Sequence, residues 1–429
     1  ACADAALRRA KGMPVLRADG QLAIPTELGE IAFTAPIAYQ ERDGRREPVQ
    51  VAYALDGDRY GFTLGEYDRS LPLLIDPLLA STFIGGSGTE DGSGLSIDNA
   101  GNVYVCGVTT SGDLPTTPGA FDTSYSGGAN DIYVAKLDSG LTSLLALTFV
   151  GGAGDDGAGS GVGILADNNG HVYVMSRTES ADFPATPGSY DTTYNGGLGD
   201  YFVAKFDVSL TNLVAATYIG GSDEEVNSVV IATDNATNLF VVGQTYSSDF
   251  PTTPGAYDTA FNGDCDNFVS KLDPSLSNLL ASTFIGGSLN DGVIAGMMID
   301  RSNRVIVVGS TKSSDYPTTP GVYDRTFKGS GFNAAISIMD DMLTNLLAST
   351  FLSGTSVQDN FHSVALDSQG NIYVAGFAYS ADFPTTPGAY DRTFAGGFAS
   401  VFAKLTPDLT NLIAATYIGG PGEDRVYLL

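Results

Sequence analysis

Apolar and polar residues alternate along most of the chain in short runs bounded by Gly, Asn, Asp and Pro. A period of two marks a strand with one buried face. LSIDNAGNVYVCGVT at 95–109 reads as two strands joined at Asn99-Ala100-Gly101-Asn102, where glycine supplies the positive φ of a tight hairpin. DIYVAKLD at 131–138 predicts a third strand and LLALTFVGG at 144–152 a fourth, which leads into a new copy of the pattern. Upstream, alternation starts near Met13, and PVQVAYALDGDRYGFTLGEYD predicts a hairpin turning at Asp56-Gly57-Asp58. Residues 1–12 are rich in Ala and Arg, with a short helical tendency.

The pattern repeats. PTTPGAYD stands at 251–258 and 384–391, with PTTPGAFD at 115–122, PATPGSYD at 184–191 and PTTPGVYD at 317–324. First prolines at 115, 184, 251, 317 and 384 give spacings of 69, 67, 66 and 67. One supersecondary unit has been copied in tandem, and four antiparallel strands per copy describe a propeller blade. The expected fold is an all-β propeller of four-stranded blades, six in number, or seven within a longer chain. A β-rich N-terminal segment at 1–77 precedes the propeller at 78–429. LLASTFIGG at 78–86 and GEDRVYLL at 422–429 are the outer and inner strands of a composite closing blade, and the hairpin at 48–68 is placed to supply its middle strands. Left unfilled, such a blade has an open edge that templates another chain. Cys106 aligns with Met175, Val242, Val308 and Ala375, so it reads as a core residue rather than a reactive thiol.

STFIGGSG, AGNVYVCGVT, DLPTTPGAFD and DIYVAKLD together resemble the SBBP repeats of bacterial β-propeller proteins. YGFTLGEYDRSLPLLIDP is similar to the end of the β-rich domain that commonly precedes them. The resemblance covers about Met13 to Leu429. It implies an exported or cell-surface protein and no settled activity.

Gly numbers 53 and charged residues make up 16% of the 429 residues, a turn-rich and ordered composition. No apolar run is long enough to span a membrane. The net charge of −28 repels nucleic acid and anionic membranes and attracts divalent cations and basic partners. Three cysteines, Cys2, Cys106 and Cys265, make no disulfide framework. Cys2 is compatible with a lipid-anchored start, but no lipobox accompanies it.

A catalytic site is normally unique, whereas these motifs recur, so their residues are architecture or equivalent binding sites. Ser111/Asp113, Ser180/Asp182, Ser247/Asp249, Ser313/Asp315 and Ser380/Asp382 read as caps on turns, as do Asp122, Asp191, Asp258, Asp324 and Asp391. The rival reading is calcium (Ca2+). A further acid follows each Gly-Gly turn, at Asp91, Asp156, Glu225, Asp291, Asp359 and Asp424, and hard cations take carboxylate and carbonyl oxygens in such loops. No EF-hand or RTX spacing is present. His171 replaces a turn Asn, and His362 has no metal-ligand spacing to another His or Cys. Cys265, between Asp264 and Asp266, reads as a free loop thiol. Arg301, Arg304, Lys312, Arg325 and Lys328 gather in the fourth copy, where Ile338 replaces the Lys of Lys136, Lys205, Lys271 and Lys404. This is a patch for an acidic face of a second copy, or a merely variable surface.

The expected function is a non-enzymatic extracellular or cell-surface scaffold. Its partner is itself or another surface protein, and the sharpest version is a surface fibre built by strand addition. The alternative is a polysaccharide-acting hydrolase or lyase, or a glycan-binding module using Tyr125, Tyr194, Phe261, Phe327 and Phe394. An enzyme would show an unrepeated acid pair or His at a channel mouth.

Overall fold

The computed structural model describes residues 13–420 apart from 19, 27–28, 34, 43–44, 58, 77–81, 158, 160 and 293. Every helix or strand element among the described residues is a strand. Two compact units are distinguished, one of residues up to Ile84 with Leu137–Leu145, and one of Gly85–Lys136 with Ala146 onward.

In the first unit, Val15–Leu16, Leu22–Thr26 and Gly29–Phe33 form a three-stranded sheet. Ile37–Arg42 pairs with Arg45–Val49 on one side and Leu73–Asp76 on the other. Val51–Asp56 and Arg59–Leu64 form the expected hairpin, with Gly57 at φ 62° in its turn. Among the described residues this hairpin is a two-stranded sheet of its own. The outermost segments assigned to the composite closing blade, 78–81 and 422–429, lie outside the described residues, as does the helical tendency at 1–12, while 82–86 are not in strand.

The second unit carries five four-stranded sheets, each an antiparallel meander of consecutive strands. Sheets one to five span 90–150, 163–219, 225–285, 294–351 and 359–418. Sheet three is typical, with strands Glu225–Thr233, Leu239–Thr245, Asp266–Leu272 and Leu279–Ile285. Its register sets Glu225 opposite Thr245, Leu239 opposite Leu272 and Asn267 opposite Ile285. Its second and third strands are buried throughout, because both faces are covered by neighbouring sheets.

First strands of successive sheets neighbour one another, and the apolar cores lie between consecutive sheets. One core joins Met175 and Tyr201 of sheet two to Val241 and Phe268 of sheet three. Cys106, Met175, Val242, Val308 and Ala375 are all buried, as their alignment predicts. Filling these seams with rings such as Phe268 and Phe284 removes apolar surface from water at ~25 cal/mol per Å2.

The turn between third and fourth strands has a left-handed leucine in every sheet: Leu141, Leu210, Leu276, Leu343 and Leu409, at φ 52° to 58°. A non-glycine residue there costs ~1 kcal/mol or more. The leucine N–H closes the turn on the carbonyl three residues back, as from Leu210 to Asp207 at 3.0 Å. The side chains of Leu210, Leu276, Leu343 and Leu409 are fully buried, which offsets that cost.

Candidate functional site

In sheets two to five the acid after the glycine turn is buried; Glu225 and Asp359 open the first strands of sheets three and five, while Asp156 and Asp291 stand ahead of the first strands of sheets two and four. Asp156 accepts hydrogen bonds from Thr178 Oγ1, from Ser180 Oγ at 3.0 Å and from the Gly152 N–H at 2.8 Å. Glu225 accepts from Thr245 Oγ1 at 2.8 Å and Ser247 Oγ at 2.9 Å. Asp291 accepts from Thr311 Oγ1 and the Gly287 N–H, and Asp359 from Ser380 Oγ and the Gly354 N–H. In sheet one this place belongs to Glu90, which accepts from Thr109 Oγ1 and Ser111 Oγ.

Asp91, expected there, is displaced by one residue. It pairs in register with Val108, while Glu90 faces Thr109, so a period-two strand turns Asp91 to the opposite side. Its side chain is exposed and lines a cleft of about 510 Å3 with Thr89, Ser93, Thr110 and Asn130. Asp424 lies outside the described residues.

The Ser-x-Asp pairs cap turns as expected. Ser180 Oγ accepts from the Gly154 N–H at 2.8 Å, and Asp182 Oδ1 from the Ala153 N–H at 2.9 Å. Ser247 and Asp249 hold Asp223 and Ser222 in the same way. The acid closing each Pro motif caps its own turn, as Asp258 Oδ1 does for the Ala260 N–H at 2.9 Å.

A second set of acids meets the first. Asp131, Asp200 and Asp266 begin the third strands of sheets one to three and are fully buried. Their Oδ2 atoms accept from the N–H groups of Ser126, Asn195 and Asn262 at 2.6, 2.6 and 2.7 Å. Among the described residues no N–H or O–H donor reaches their Oδ1 atoms. Each lies beside the acid that precedes or opens the first strand of the next sheet, across a glycine. A methyl group on Gly220 would sit 2.6 Å from Glu225 Oε2 and 2.7 Å from Asp200 Oδ1. Gly151 divides Asp131 from Asp156 in the same way, and Gly286 divides Asp266 from Asp291.

Burial first, and the neighbouring carboxylate after it, push Asp131 and Asp266 up to about 7. Burial likewise raises Asp291 to about 6 and moves Asp156, Asp200 and Glu225 upward. Two facing carboxylates in a low-dielectric seam resist ionising together, so each pair is biased toward holding a proton.

Sheet four supports this internally. The acid is replaced by Asn333 and the dividing glycine by Ser353. Asn333 Oδ1 accepts from the Lys328 N–H at 2.8 Å, and its Nδ2 donates to the Lys328 and Gly331 carbonyls. An amide is the uncharged counterpart of a protonated carboxyl. The fourth copy therefore encodes in its sequence the neutral form toward which burial drives Asp131, Asp200 and Asp266. In sheet five the position is Ala399.

These pairs differ from a hard-cation cage. Calcium takes six to eight oxygens, whereas most oxygens here already accept N–H or O–H groups. Among the described residues no three His, Cys, Asp or Glu side chains gather in a metal-holding arrangement.

A further polar device joins each sheet to the next and is not visible in any one copy. The aromatic residue of the Pro motif donates its N–H to the left-handed leucine carbonyl of the following sheet. The pairs are Phe121 to Leu210 at 2.9 Å, Tyr190 to Leu276, Tyr257 to Leu343 and Tyr323 to Leu409, each of the last three at 2.8 Å. A lysine grips the same turn two residues earlier: Lys136 to the Val208 carbonyl at 3.0 Å, Lys205 to Pro274 at 2.6 Å and Lys271 to Asp341 at 3.2 Å.

At the fourth junction Ile338 removes the lysine, and Arg304 takes over. Its Nε holds Asp300 at 2.7 Å, and its Nη1 reaches the Pro407 carbonyl at 3.2 Å. The basic cluster of the fourth copy is thus largely used within the chain, since Lys328 pairs with Asp324 at 2.8 Å and Lys312 lies over the Phe332 ring.

The remaining candidates are structural. His171 holds Asp167 at 3.3 Å, as Asn102 holds Asp98 at 2.8 Å. Cys265 is a free thiol in the loop ahead of Asp266, as expected, but it is fully buried, and burial, with Asp266 beside it, pushes its thiol up to about 12. Tyr125, Tyr194, Phe261, Phe327 and Phe394 pack edge-on against Phe149, Tyr218, Phe284, Phe351 and Tyr417.

Family comparisons match two segments types. A β-propeller repeat model, SBBP, matches residues 81–115, 216–251 and 349–384, and a domain of unknown function, DUF7948, matches residues 6–78. No curated protein sequence matches. Among solved structures, a protein of unknown function from Dyadobacter fermentans is 10% identical, with TM-score 0.40 over 87% of this chain and 92% of that one. A polysaccharide lyase bound to an ulvan fragment is 11% identical, with TM-score 0.40 over 78% and 74%. A gluconolactonase from Xanthomonas campestris is 12% identical, with TM-score 0.30 over 84% and 81%. Each of these likenesses is remote. The repeat matches and the five meander sheets agree: the chain carries SBBP β-propeller repeats, with a match to DUF7948 ahead of them.

Proposed function

We propose that this chain is a non-enzymatic β-propeller scaffold, exported to the cell surface or beyond, that binds a second protein or copies of itself. The observation that carries the reading is the use made of the recurring polar groups. Glu90, Asp156, Glu225 and Asp291 hold Gly-Gly turns, Asp359 holds the Ser353-Gly354 turn, and the aromatic and lysine donors hold successive sheets together. The groups best suited to chemistry are engaged in building a rigid array.

A second reading has one observation in its favour. The polar cleft lined by Asp91, Thr89, Ser93, Thr110 and Asn130 has the volume of a small glycan site. It offers a single carboxylate, where glycoside hydrolysis commonly uses two, so the version it favours is glycan binding.

Incubation with neutral and uronic-acid polysaccharides separates scaffold from enzyme. The expected result is no new reducing ends and no unsaturated products, and sustained release of either overturns the scaffold reading. Protease treatment of intact producing cells tests the location, and full protection of the chain would count against exposure at the surface.

A further inference from the structure

We propose that the Pro motif is a strap that closes the fourth-strand edge of each sheet, and that an edge without its strap docks the same edge of a second copy. The strap does this whether or not the chain is a scaffold, and it gives the recurring motif a task beyond shaping its own turn.

Within its sheet a fourth strand has a neighbour on one side only. The other side presents main-chain N–H and C=O groups, which pair readily with any extended chain. In sheet three those groups belong to Ser282 and Phe284, and the Pro motif of the same sheet takes them up. Thr253, its third residue, donates its N–H to the Ser282 carbonyl at 3.0 Å and accepts the Ser282 N–H on Oγ1 at 2.9 Å. Asp258, its last residue, accepts the Phe284 N–H on its carbonyl at 3.0 Å and donates its own N–H to Thr283 Oγ1 at 2.9 Å. The edge is thus occupied from within the chain.

The arrangement recurs in every sheet. Thr117, Thr186, Thr319 and Thr386 exchange the same two bonds with the fourth strands of their own sheets, at 2.9 to 3.3 Å. The carbonyls of Asp122, Asp191, Asp324 and Asp391 take the second edge N–H, at 2.9 to 3.1 Å.

The residue types fit the task. Closing both groups of one edge residue takes a main-chain N–H and a side-chain acceptor on a single strap residue, and threonine stands there in all five copies. Prolines flank it, at 251 and 254 in the third copy, and proline has no N–H to pair with a further strand. The strap covers the edge without becoming a new one. It is also pinned beyond its own sheet, since Tyr257, next to Asp258, donates its N–H to the Leu343 carbonyl of sheet four at 2.8 Å.

An edge opened in one sheet meets its own likeness on a second copy, and two identical edges pair antiparallel. Such a contact is isologous and stops at a dimer.

Hydrogen exchange and sedimentation velocity test this on the full chain and two variants. One variant, Thr253→Val with Thr283→Val, removes the hydroxyls that hold the strap of sheet three at nearly constant volume. The control, Thr252→Val with Thr259→Val, removes two hydroxyls of the same loop that take no part in those bonds. Melting curves confirm that both remain folded. In the unaltered chain the Ser282 and Phe284 amides should exchange at least about a hundredfold more slowly than open amides. Fast exchange of both in the folded chain overturns the proposal without any variant. In the dilute strap variant the Ser282 amide, its acceptor gone, should exchange at least about tenfold faster than in the unaltered chain. At higher concentration that variant should dimerise and the amide become slow again, while the control behaves as the unaltered chain does. A strap variant whose Ser282 amide stays slow in the monomer, or whose edge opens without dimerising, removes the proposal. So does association that runs past the dimer or leaves Ser282 exchanging freely, because the contact then lies elsewhere.

Discussion

Asp266 begins its strand fully buried, with one oxygen bonded to the Asn262 N–H and the other beside Asp291. Its proton, like that of Asp131, has a thermodynamic signature. Both groups rise from 3.8 to about 7 on folding, so between those values the native chain holds protons that the unfolded chain has released. Their contribution to stability is complete below pH 3.8 and is lost as pH rises through about 7. Asp266→Asn copies what Asn333 already does. Denaturant titrations should find it more stabilising at about pH 8 than at about pH 5, by roughly 2–3 kcal/mol. An equal loss of stability at both pH values would mean that the site needs a charged carboxylate. Asp131, Asp200 and Asp266 were not legible from sequence, because each looks like an ordinary strand opening and meets its partner only in space. Glu90 was legible in principle. It stands five residues after the first glycine of its Gly-Gly pair, as Asp156, Glu225 and Asp291 do, whereas Asp91 stands six after it.

At the scale of elements, strands and hairpins were the readable part. Alternation gave the four strands of each copy, and Asn-Ala-Gly-Asn gave the turn where Gly101 adopts φ 81°. The left-handed leucines were not readable, since leucine is no turn former and its conformation depends on burial by a neighbouring sheet. Nor was the exchange of Lys for Arg304, because the oxygen that both serve lies one copy further along. Reading Ile338 as a lost lysine missed a replacement that had moved across the strand pair: Ile306, two residues on from Arg304, faces Ile338 in the register. Arg304→Ala should lower stability by about 1–2 kcal/mol, less than a fully buried charged hydrogen bond, because the side chain is 30% exposed. Ile338→Lys in the same chain should restore most of that loss in thermal melts, since Asp300 is already placed to receive it. Failure of the rescue would show that Arg304 acts through packing alone.

Across the whole molecule, a net charge of −28 looks at first like a demand for cations. Many of the acids are instead turn caps saturated by N–H and O–H donors, and the buried pairs carry less charge than their formula suggests. Excess chelator should therefore leave the melting temperature unchanged, and a clear fall would place a bound cation among the acids. The junctions between sheets have a different consequence. The grip reads only main-chain oxygens and the handedness of a turn, so it is indifferent to most side chains of the unit it holds. A gene that gains or loses one copy by recombination would produce new neighbours that fit at once. Length is then a property that this lineage can vary freely, while the wording of each copy drifts.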